Sequence, residues 1–172
     1  MTIAIRPATT ADLAAVRDVH RQAFGGRPNE AYLVELLHAA GNAPVSLVAT
    51  VDGNVVGHVL FSEVSLSPPG PAFQAVGLAP VGVLPAYQRQ GIGARLIRAG
   101  LGAARAAGYR AAVVLGSPAY CGRFGFVRAA GYGLENEYGA DADFMVLTLG
   151  DEPLPVLRGM VRYAPEFAVA GC

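Results

Sequence analysis

Apolar and polar residues alternate in the first stretch of the chain and then take up a helical period. Residues 2–7, TIAIRP, alternate Ile3 and Ile5 with other residues and end in proline, which predicts a short strand. Thr9 and Asp12 follow with the spacing of a capping box, a usual start for a helix. The apolar positions after them repeat with a helical period until Gly25 and Gly26. We therefore expect a strand followed by a helix.

The next part of the chain predicts a second helix, a hairpin and an extended segment. Residues 29–41 have leucines on one helical face and end in glycine. Residues 45–66 are β-branched and apolar on both sides of Asp-Gly-Asn at 52–54, the strongest hairpin signal in the chain. Residues 73–84 again favour an extended strand, in which Pro80 indicates a bulge or an unpaired edge.

The remainder of the chain alternates helices with strands. Residues 94–108 predict a helix of about four turns, and Ser117 as N-cap with Pro118 at the first helical position predicts a much shorter one. Further strands are expected at 110–115, 125–132 and 142–149. The predicted order is β-α-α-β-β-β-α-β-α-β-β, which indicates the α/β (mixed α+β) class, with a mixed sheet covered by helices.

The composition limits the number of domains and the classes of function that this protein can have. A chain of 172 residues with 53% hydrophobic content is long enough for one core, so we expect a single domain over 1–172. Its 13 basic and 13 acidic residues balance, and nothing in these totals indicates a nucleic-acid or membrane partner. The sequence contains no lysine, which excludes Schiff-base chemistry and the phosphate-loop lysine of NTPases.

The cysteines and the N-terminal segment indicate the compartment. Cys121 and Cys172 form no disulfide framework and match no zinc spacing, so we expect no metal site and a reducing environment. The first residues do not resemble a signal peptide. No window reaches the run of about 18 uncharged apolar residues that a membrane span requires. These observations favour a cytoplasmic protein.

The segment YQRQGIG, Tyr87–Gly93, lies between a predicted strand and the long predicted helix. A glycine-bearing turn at a helix N-terminus offers unpaired N–H groups and a partial positive charge, which together bind phosphate. The NTPase loop is excluded because no Gly-Lys-Ser/Thr follows, and the dinucleotide fingerprint fails because Leu96 replaces its third glycine. A pyrophosphate held mainly by backbone amides is one interpretation. The other is a helix start that needed only turn-forming glycines.

A family resemblance favours the first interpretation. The segment QRQGIG matches the Gln/Arg-x-x-Gly-x-Gly/Ala signature of the GNAT superfamily, N-acyltransferases that use acetyl-coenzyme A. The segments LAPVGVLPAYQRQGIGARLI and GSPAYCGRFGF are similar to its cofactor-binding segments, and GMVRYAPEF resembles the ending of one bacterial subgroup. The resemblance covers essentially the whole chain. It implies a GNAT-like fold, with a central, splayed mixed sheet of about six to seven strands and helices on both faces.

The resemblance also implies the residues that contact the coenzyme. The loop from Gln88 to Ala94 would supply amides to the pyrophosphate, and Val81 and Val83 would bind the pantetheine arm through their backbone. A bulge near Pro80 would leave an unpaired sheet edge for that arm. The expected coenzyme contacts are Val81, Gly82, Val83, Gln88, Arg89, Gln90, Gly91, Ile92, Gly93, Ala94, Ser117, Tyr120 and Arg123. Arg95 and Arg98 either add charge near the phosphates or form a solvated helix face.

The catalytic residues are less clearly marked. In the family pattern a tyrosine four residues before the glycine of a Gly-Phe pair protonates the leaving thiolate. Here that glycine is Gly125, and the position holds Cys121, with Tyr120 one residue earlier. Either Tyr120 or Cys121 is therefore the expected proton donor. A small buried filler is the alternative for Cys121.

Several groups are candidates for the general base. No carboxylate lies in the strand at 73–84, where the family often has one. Glu63 is the expected catalytic carboxylate, and its odd separation from His58 puts the two side chains on opposite faces of one strand. Glu30, at the start of the second helix, is another candidate, whereas His58 favours a structural role. Deprotonation through water, without a dedicated base, is also consistent with the sequence.

The sequence thus predicts transfer of the acetyl group of acetyl-coenzyme A, a co-substrate, to a primary amine by direct attack on the thioester. The amine is a small molecule or a peptide. A non-catalytic acyl-coenzyme A binding module is the alternative. The acidic segment ENEYGADAD either attracts a cationic amine or forms a solvated loop. The apolar tail LPVLRGMVRY packs on its own sheet or forms a homodimer.

Overall fold

The computed structural model describes residues 1–70 and 73–172, which divide into two compact units. The first unit holds Met1–Phe61, Ala79–Gly100 and Pro165–Cys172, and the second holds Ser62–Leu78 and Leu101–Ala164. The strands are β1 (Ile3–Pro7), β2 (Val45–Val51), β3 (Asn54–Ser67), β4 (Ala75–Val83), β5 (Ala111–Leu115), β6 (Val127–Arg128), β7 (Leu134–Asn136), β8 (Phe144–Thr148) and β9 (Gly159–Arg162). The helices are α1 (Leu13–Ala23), α2 (Asn29–Ala39), α3 (Ile92–Ala106), α4 (Pro118–Cys121) and α5 (Glu166–Ala170).

The first unit contains strands in the order β1-β2-β3-β4 and the helices α1, α2 and α5. The predicted hairpin is confirmed, because β2 and β3 pair antiparallel and Val51 lies opposite Asn54. Asp52 and Gly53 both have positive φ, 50° and 85°, the conformation that two-residue hairpin turns require. The core of the first unit includes Leu33, Leu37, Val48 and Phe61, each almost fully buried.

The entry into α1 is held by the predicted capping residues. The Thr9 backbone N–H donates to Asp12 Oδ2 at 2.7 Å, and Arg6 Nη1 donates to the same oxygen at 2.7 Å. These contacts hold the pKa of the Asp12 carboxyl well below its usual range, with the Arg6 hydrogen bond as the largest cause. Val16 and Val19 then bury one face of the helix, as the periodicity predicts.

The second unit is built around β5. Ala75–Gly77 of β4 pair in parallel with Ala111–Val113 of β5, whose other edge pairs antiparallel with β8. Strand β8 also pairs with β6, whereas β9 pairs with β3 and with β7. A Cβ atom at Gly77 would lie 2.6 Å from Tyr163 Cε1, so only glycine lets β4 and this ring pack so closely.

The order of elements predicted from the sequence is confirmed through α4, but the C-terminal part of the chain departs from it. The strand expected at 125–132 is reduced to Val127–Arg128, because Ala129–Tyr132 form a 3₁₀ turn that ends at Gly133 with φ 73°. The strand expected at 142–149 is confirmed as Phe144–Thr148. The short strands β7 and β9 and helix α5 have no counterpart in the prediction. Among the described residues, no helix combines the length and hydrophobicity that a membrane span requires.

Candidate functional site

The segment between β4 and α3 has an unusual backbone. Arg89 has φ 62° and Gly91 has φ 81°, so two of three consecutive residues lie in the left-handed region. Such conformations are costly for residues other than glycine and are often found at binding sites. The Gln88 side chain donates from Nε2 to the Val83 carbonyl at 2.9 Å. The turn is therefore tied back to the end of the strand that it leaves.

Helix α3 begins directly after this turn. The Arg95 N–H donates to the Gly91 carbonyl at 3.0 Å, and the amides of Ile92, Gly93 and Ala94 precede that bond. The first amides of a helix have no partner within it. The first turn of α3 contains no acidic side chain that could accept from them. This end of the helix therefore carries a concentration of N–H donors and the positive end of the helix dipole.

The start of α3 packs closely on β3. A Cβ atom at Gly57 would lie 3.0 Å from Leu96 Cδ1 and 3.3 Å from the Gly82 carbonyl oxygen. Ile92 and Leu96 are almost fully buried. Apolar packing of the helix on β3 therefore helps to fix the position of these amides.

The end of β4 carries the predicted contacts Val81, Gly82 and Val83. The pairing of β4 with β5 covers Ala75–Gly77, although β4 continues to Val83. The Leu84 N–H donates to the Val56 carbonyl of β3 at 2.8 Å. A Cβ atom at Gly82 would lie only 2.8 Å from His20 Nδ1, so the absence of a side chain lets α1 approach the strand.

In the second unit, Ser117 caps α4 as predicted. Its Oγ accepts from the Tyr120 N–H at 3.2 Å. The Tyr120 ring is 40% exposed and packs edge-on against Phe124, with ring centroids 5.3 Å apart. The Arg123 guanidinium carbon lies 4.8 Å from the centroid of the Tyr120 ring. The exposed phenol is thus held by an aromatic neighbour and a cation.

Cys121 points the other way, into the protein. Its side chain is buried, and a Cβ atom at Gly116 would lie 2.7 Å from its sulfur. Burial, and secondarily the charge of Asp143, raises the pKa of the Cys121 thiol. The packing matches the buried-filler interpretation of this residue and leaves Tyr120 as the exposed group of the pair.

Glu63 is exposed on β3 and interacts with Tyr109. The Tyr109 hydroxyl donates to Glu63 Oε1 at 2.5 Å. Burial first, and then this hydrogen bond, raises the pKa of Tyr109 to about 12. Both residues line a cavity of about 360 Å³ in the second unit, together with Phe73 and Gln74. Tyr109 lies beyond the C-terminal end of α3, whereas the glycine turn precedes the N-terminal end of that helix.

The other candidate carboxylate, Glu30, is buried and paired. It forms a salt bridge with Arg27, and the Cys172 thiol donates to its Oε2 at 3.8 Å. The acidic segment at 135–143 is also partly structural. Glu137 accepts from the Tyr163 N–H at 2.8 Å and lies 3.5 Å from Arg162.

His58 belongs to a hydrogen-bonded polar chain that is buried at one end and contains all three histidines of the protein. His20 Nε2 and His58 Nδ1 are 2.8 Å apart, and His58 Nε2 lies 2.8 Å from Ser46 Oγ. Ser46 Oγ in turn lies 3.1 Å from His38 Nε2. We call these four residues the histidine chain. Only His58 was predicted as a candidate, yet His20 has the helical spacing of the buried Val16 and Val19 and is therefore a polar residue on an apolar face.

Within 1–70 and 73–172, no group of three or more histidine, cysteine or acidic side chains is arranged to hold a metal ion. The predicted coenzyme contacts from Val81 to Ala94 are contiguous in the first unit. Ser117, Tyr120 and Arg123 are neighbours in the second.

Known proteins match this architecture. A family model described as an acetyltransferase (GNAT) domain matches residues 4–129. The protein named uncharacterized N-acetyltransferase YhbS, from Escherichia coli strain K12, is 40% identical over 140 residues, which cover 80% of this chain and 83% of that protein. The crystal structure of Escherichia coli YhbS in complex with CoA has a TM-score of 0.89 at 35% identity, covering 96% of this chain and 92% of the other.

A second solved structure agrees with the first. A GNAT family acetyltransferase from Brucella melitensis, in complex with acetyl-CoA, has a TM-score of 0.80 at 36% identity, covering 96% of this chain and 98% of the other. The fold, the glycine turn and these matches together define an acetyltransferase. The chain belongs to the GNAT family, which confirms the resemblance of the motif QRQGIG and its flanking segments.

Proposed function

We propose that the protein transfers the acetyl group of acetyl-coenzyme A to a primary amine by direct attack of the amine on the thioester. The observation that carries the proposal is the turn from Gln88 to Gly91 at the start of α3, with its left-handed backbone and its amides. Related proteins of this fold have been solved with CoA and with acetyl-CoA.

The residues of the turn suit a pyrophosphate. A Cβ atom at Gly91 would meet nothing within 4 Å, so the space beside the first amides of α3 is open. Backbone donors at a helix N-terminus bind phosphate without a lysine, and the chain has none. Exposed Arg89 and Arg95 flank these amides and add positive charge. Binding by Gln88–Ala94 is therefore proposed through main-chain N–H groups, with the arginines as secondary contacts.

The end of β4 is proposed to hold the amide-bearing arm of the coenzyme. Val81 and Val83 present backbone groups beyond the stretch of β4 that pairs with β5. An extended arm with amide groups can add to such a strand as another strand would. A backbone N–H from the same segment would also stabilise the oxyanion that forms when the amine attacks the thioester carbonyl.

Tyr120 is the proposed proton donor to the leaving thiolate. Its hydroxyl group is on an exposed side chain, whereas the Cys121 thiol is buried and its pKa is raised. Ser117 and Arg123 support this role, because they hold the backbone and the ring of Tyr120. Glu63 stays the predicted carboxylate base. Its side chain accepts a hydrogen bond from Tyr109, and the variant Glu63→Gln tests its role.

The decisive experiment measures binding and turnover separately. Calorimetry with acetyl-coenzyme A should show saturable binding, and a thiol-release assay over a panel of small amines and peptides should identify the acceptor. A matched pair of variants, Gly91→Ala in the turn and Gly102→Ala on the exposed face of α3, tests the site. Absence of binding at millimolar coenzyme would overturn the proposal.

A non-catalytic acyl-coenzyme A binding module is the second candidate. The specific observation in its favour is that buried Cys121 stands where the family pattern has a tyrosine. Saturable binding without thiol release across the whole amine panel would support it against the enzyme.

A further inference from the structure

The histidine chain crosses the first unit from its interior to its surface. It runs from α1 through β3 and β2 to α2, in the order His20, His58, Ser46, His38. His20 and His58 are completely buried, whereas His38 is partly exposed. Consecutive members are within hydrogen-bond distance, between 2.8 and 3.1 Å. The chain is therefore a continuous path along which hydrogen-bonded protons can move.

The inner end of the histidine chain faces β4. His20 Nδ1 is buried and has no hydrogen-bond partner among the described residues. It would lie 2.8 Å from a Cβ atom at position 82, so Gly82 leaves it facing the strand proposed to hold the thioester arm. A buried polar atom without a partner is unfavourable and is rarely kept without a reason.

The histidine chain can accept a proton at one end and release one at the other without any member becoming charged. In one arrangement each member donates outward: His20 Nε2–H to His58, His58 Nε2–H to Ser46, and the Ser46 hydroxyl to His38 Nε2. A proton added at His20 Nδ1 moves each of these hydrogens one step outward, and His38 releases its Nδ1 proton to solvent. One proton enters, one leaves, and all three rings stay neutral with their tautomers exchanged.

Electrostatics favours this neutral transfer over a single basic histidine. Burial lowers the pKa of His20 to about 4, against an opposing effect of the nearby Glu30 carboxylate. Burial also lowers the pKa of His58, and the neighbouring His20 and His38 lower it further, whereas Asp12 raises it. The pKa of His38 is lowered by burial as well. A buried imidazolium is thus disfavoured, and a relay that never forms one avoids that penalty.

We propose that the histidine chain carries away the proton that the acceptor amine loses during acetyl transfer, with His20 Nδ1 as its entry point and His38 as its exit. The inference rests on the proposed function and names the route for its proton. His58, Ser46 and His38 act through His20. The route competes with Glu63 as a base, and the two make different predictions.

The kinetic test interrupts the histidine chain at Ser46, its smallest member. Ser46→Ala should lower kcat for thiol release about 100-fold, the usual scale of acid-base catalysis, without changing KM for acetyl-coenzyme A. Ser46→Thr keeps the hydroxyl and should restore most of the rate. Ser62→Ala is the matched control, because Ser62 is a buried β3 serine whose Oγ has no described hydrogen-bond partner. That control should leave kcat unchanged.

Solvent isotope effects give a readout that a structural role would not move. Wild-type kcat in mixtures of light and heavy water should vary along a curve, because several protons move together, whereas Ser46→Ala should give a straight line. Nitrogen-15 NMR of the histidines at neutral pH should show three neutral rings, with the tautomers of His20, His58 and His38 aligned in one direction. The NMR readout needs no acceptor.

The outcomes separate the relay from the function that it serves. Charged rings, opposed tautomers, or a Ser46→Ala variant that melts earlier but keeps wild-type kcat and isotope effect would overturn the relay alone. Loss of turnover in Glu63→Gln with full turnover in Ser46→Ala would do the same. A wild-type protein that neither binds acetyl-coenzyme A nor releases thiol would overturn the proposed function and the relay with it.

Discussion

Replacing Gly91 by alanine separates the backbone of the glycine turn from every other effect. A Cβ atom at Gly91 would meet nothing within 4 Å, and the same is true at Gly102. The two positions differ in conformation, because Gly91 has φ 81° whereas Gly102 lies inside α3. Gly91→Ala and Gly102→Ala therefore add the same atoms to open space and differ in the backbone that must carry them.

The expected magnitudes have opposite signs. An alanine held in the left-handed region is unfavourable by about 1–2 kcal/mol. Reduced freedom of the unfolded chain offsets about 0.4–1 kcal/mol of that, so Gly91→Ala should lower the free energy of unfolding by about 1 kcal/mol. Gly102→Ala should raise it by about 0.5–1 kcal/mol, because alanine is the better helix former.

Binding should follow the same division. If the first amides of α3 bind the pyrophosphate as proposed, relief of the strain at position 91 turns them away from it. We therefore expect the Kd for acetyl-coenzyme A to rise at least tenfold, or about 1.4 kcal/mol. Gly102→Ala should leave the Kd unchanged. Urea denaturation measures the stabilities and calorimetry the affinities. Equal urea midpoints for the two variants, or a wild-type Kd in Gly91→Ala, would refute the reasoning.

Three further predictions follow from single contacts. Tyr120→Phe should lower kcat for thiol release about 100-fold, whereas Cys121→Ala changes it little, and equal losses would contradict the assignment of the exposed phenol. Asp12→Asn should lower the free energy of unfolding at neutral pH by about 1–2 kcal/mol. Because the folded-state pKa of Asp12 is depressed, its stabilisation is complete above the unfolded pKa of about 4 and is lost as the pH falls below it. Urea titrations at several pH values should show a flatter profile in the variant, and parallel profiles would contradict the pairing. Glu63→Gln should lower the pKa of Tyr109 from about 12 only part of the way toward its ordinary value, because the charge of Glu63 is removed while burial, the largest cause of the shift, remains. Ultraviolet titration of the tyrosines measures it, and an unchanged curve would exclude the contact.

The parts of the fold that sequence analysis predicted correctly depend on neighbouring residues. The hairpin at Asp52 and Gly53 was predicted because its turn needs two positive φ angles, a property of those residues themselves. Strand β9 was missed for the opposite reason. It is a four-residue strand that exists because it pairs with β3 and β7, and its own sequence carries little strand signal.

The candidate site divides in the same way. The glycine turn and the capped α4 could be located from the sequence, because Gly91, Ser117 and Pro118 act on the backbone within a few residues. The sequence could not predict which of Tyr120 and Cys121 is exposed. In a helix of only four residues, the exposure of two adjacent side chains depends on what packs against each of them. The packing that decided it is Cys121 against Gly116.

By itself, the sequence determined the order of the main elements and a family whose signature is a local backbone motif. Tertiary structure alone decided which polar side chains that are distant in sequence meet. His20 and His58 are 38 residues apart along the chain, and Glu63 and Tyr109 are 46 apart. The physical reason is that turns and caps arise from interactions within one or two turns of chain, whereas a hydrogen bond between distant side chains depends on how whole elements pack.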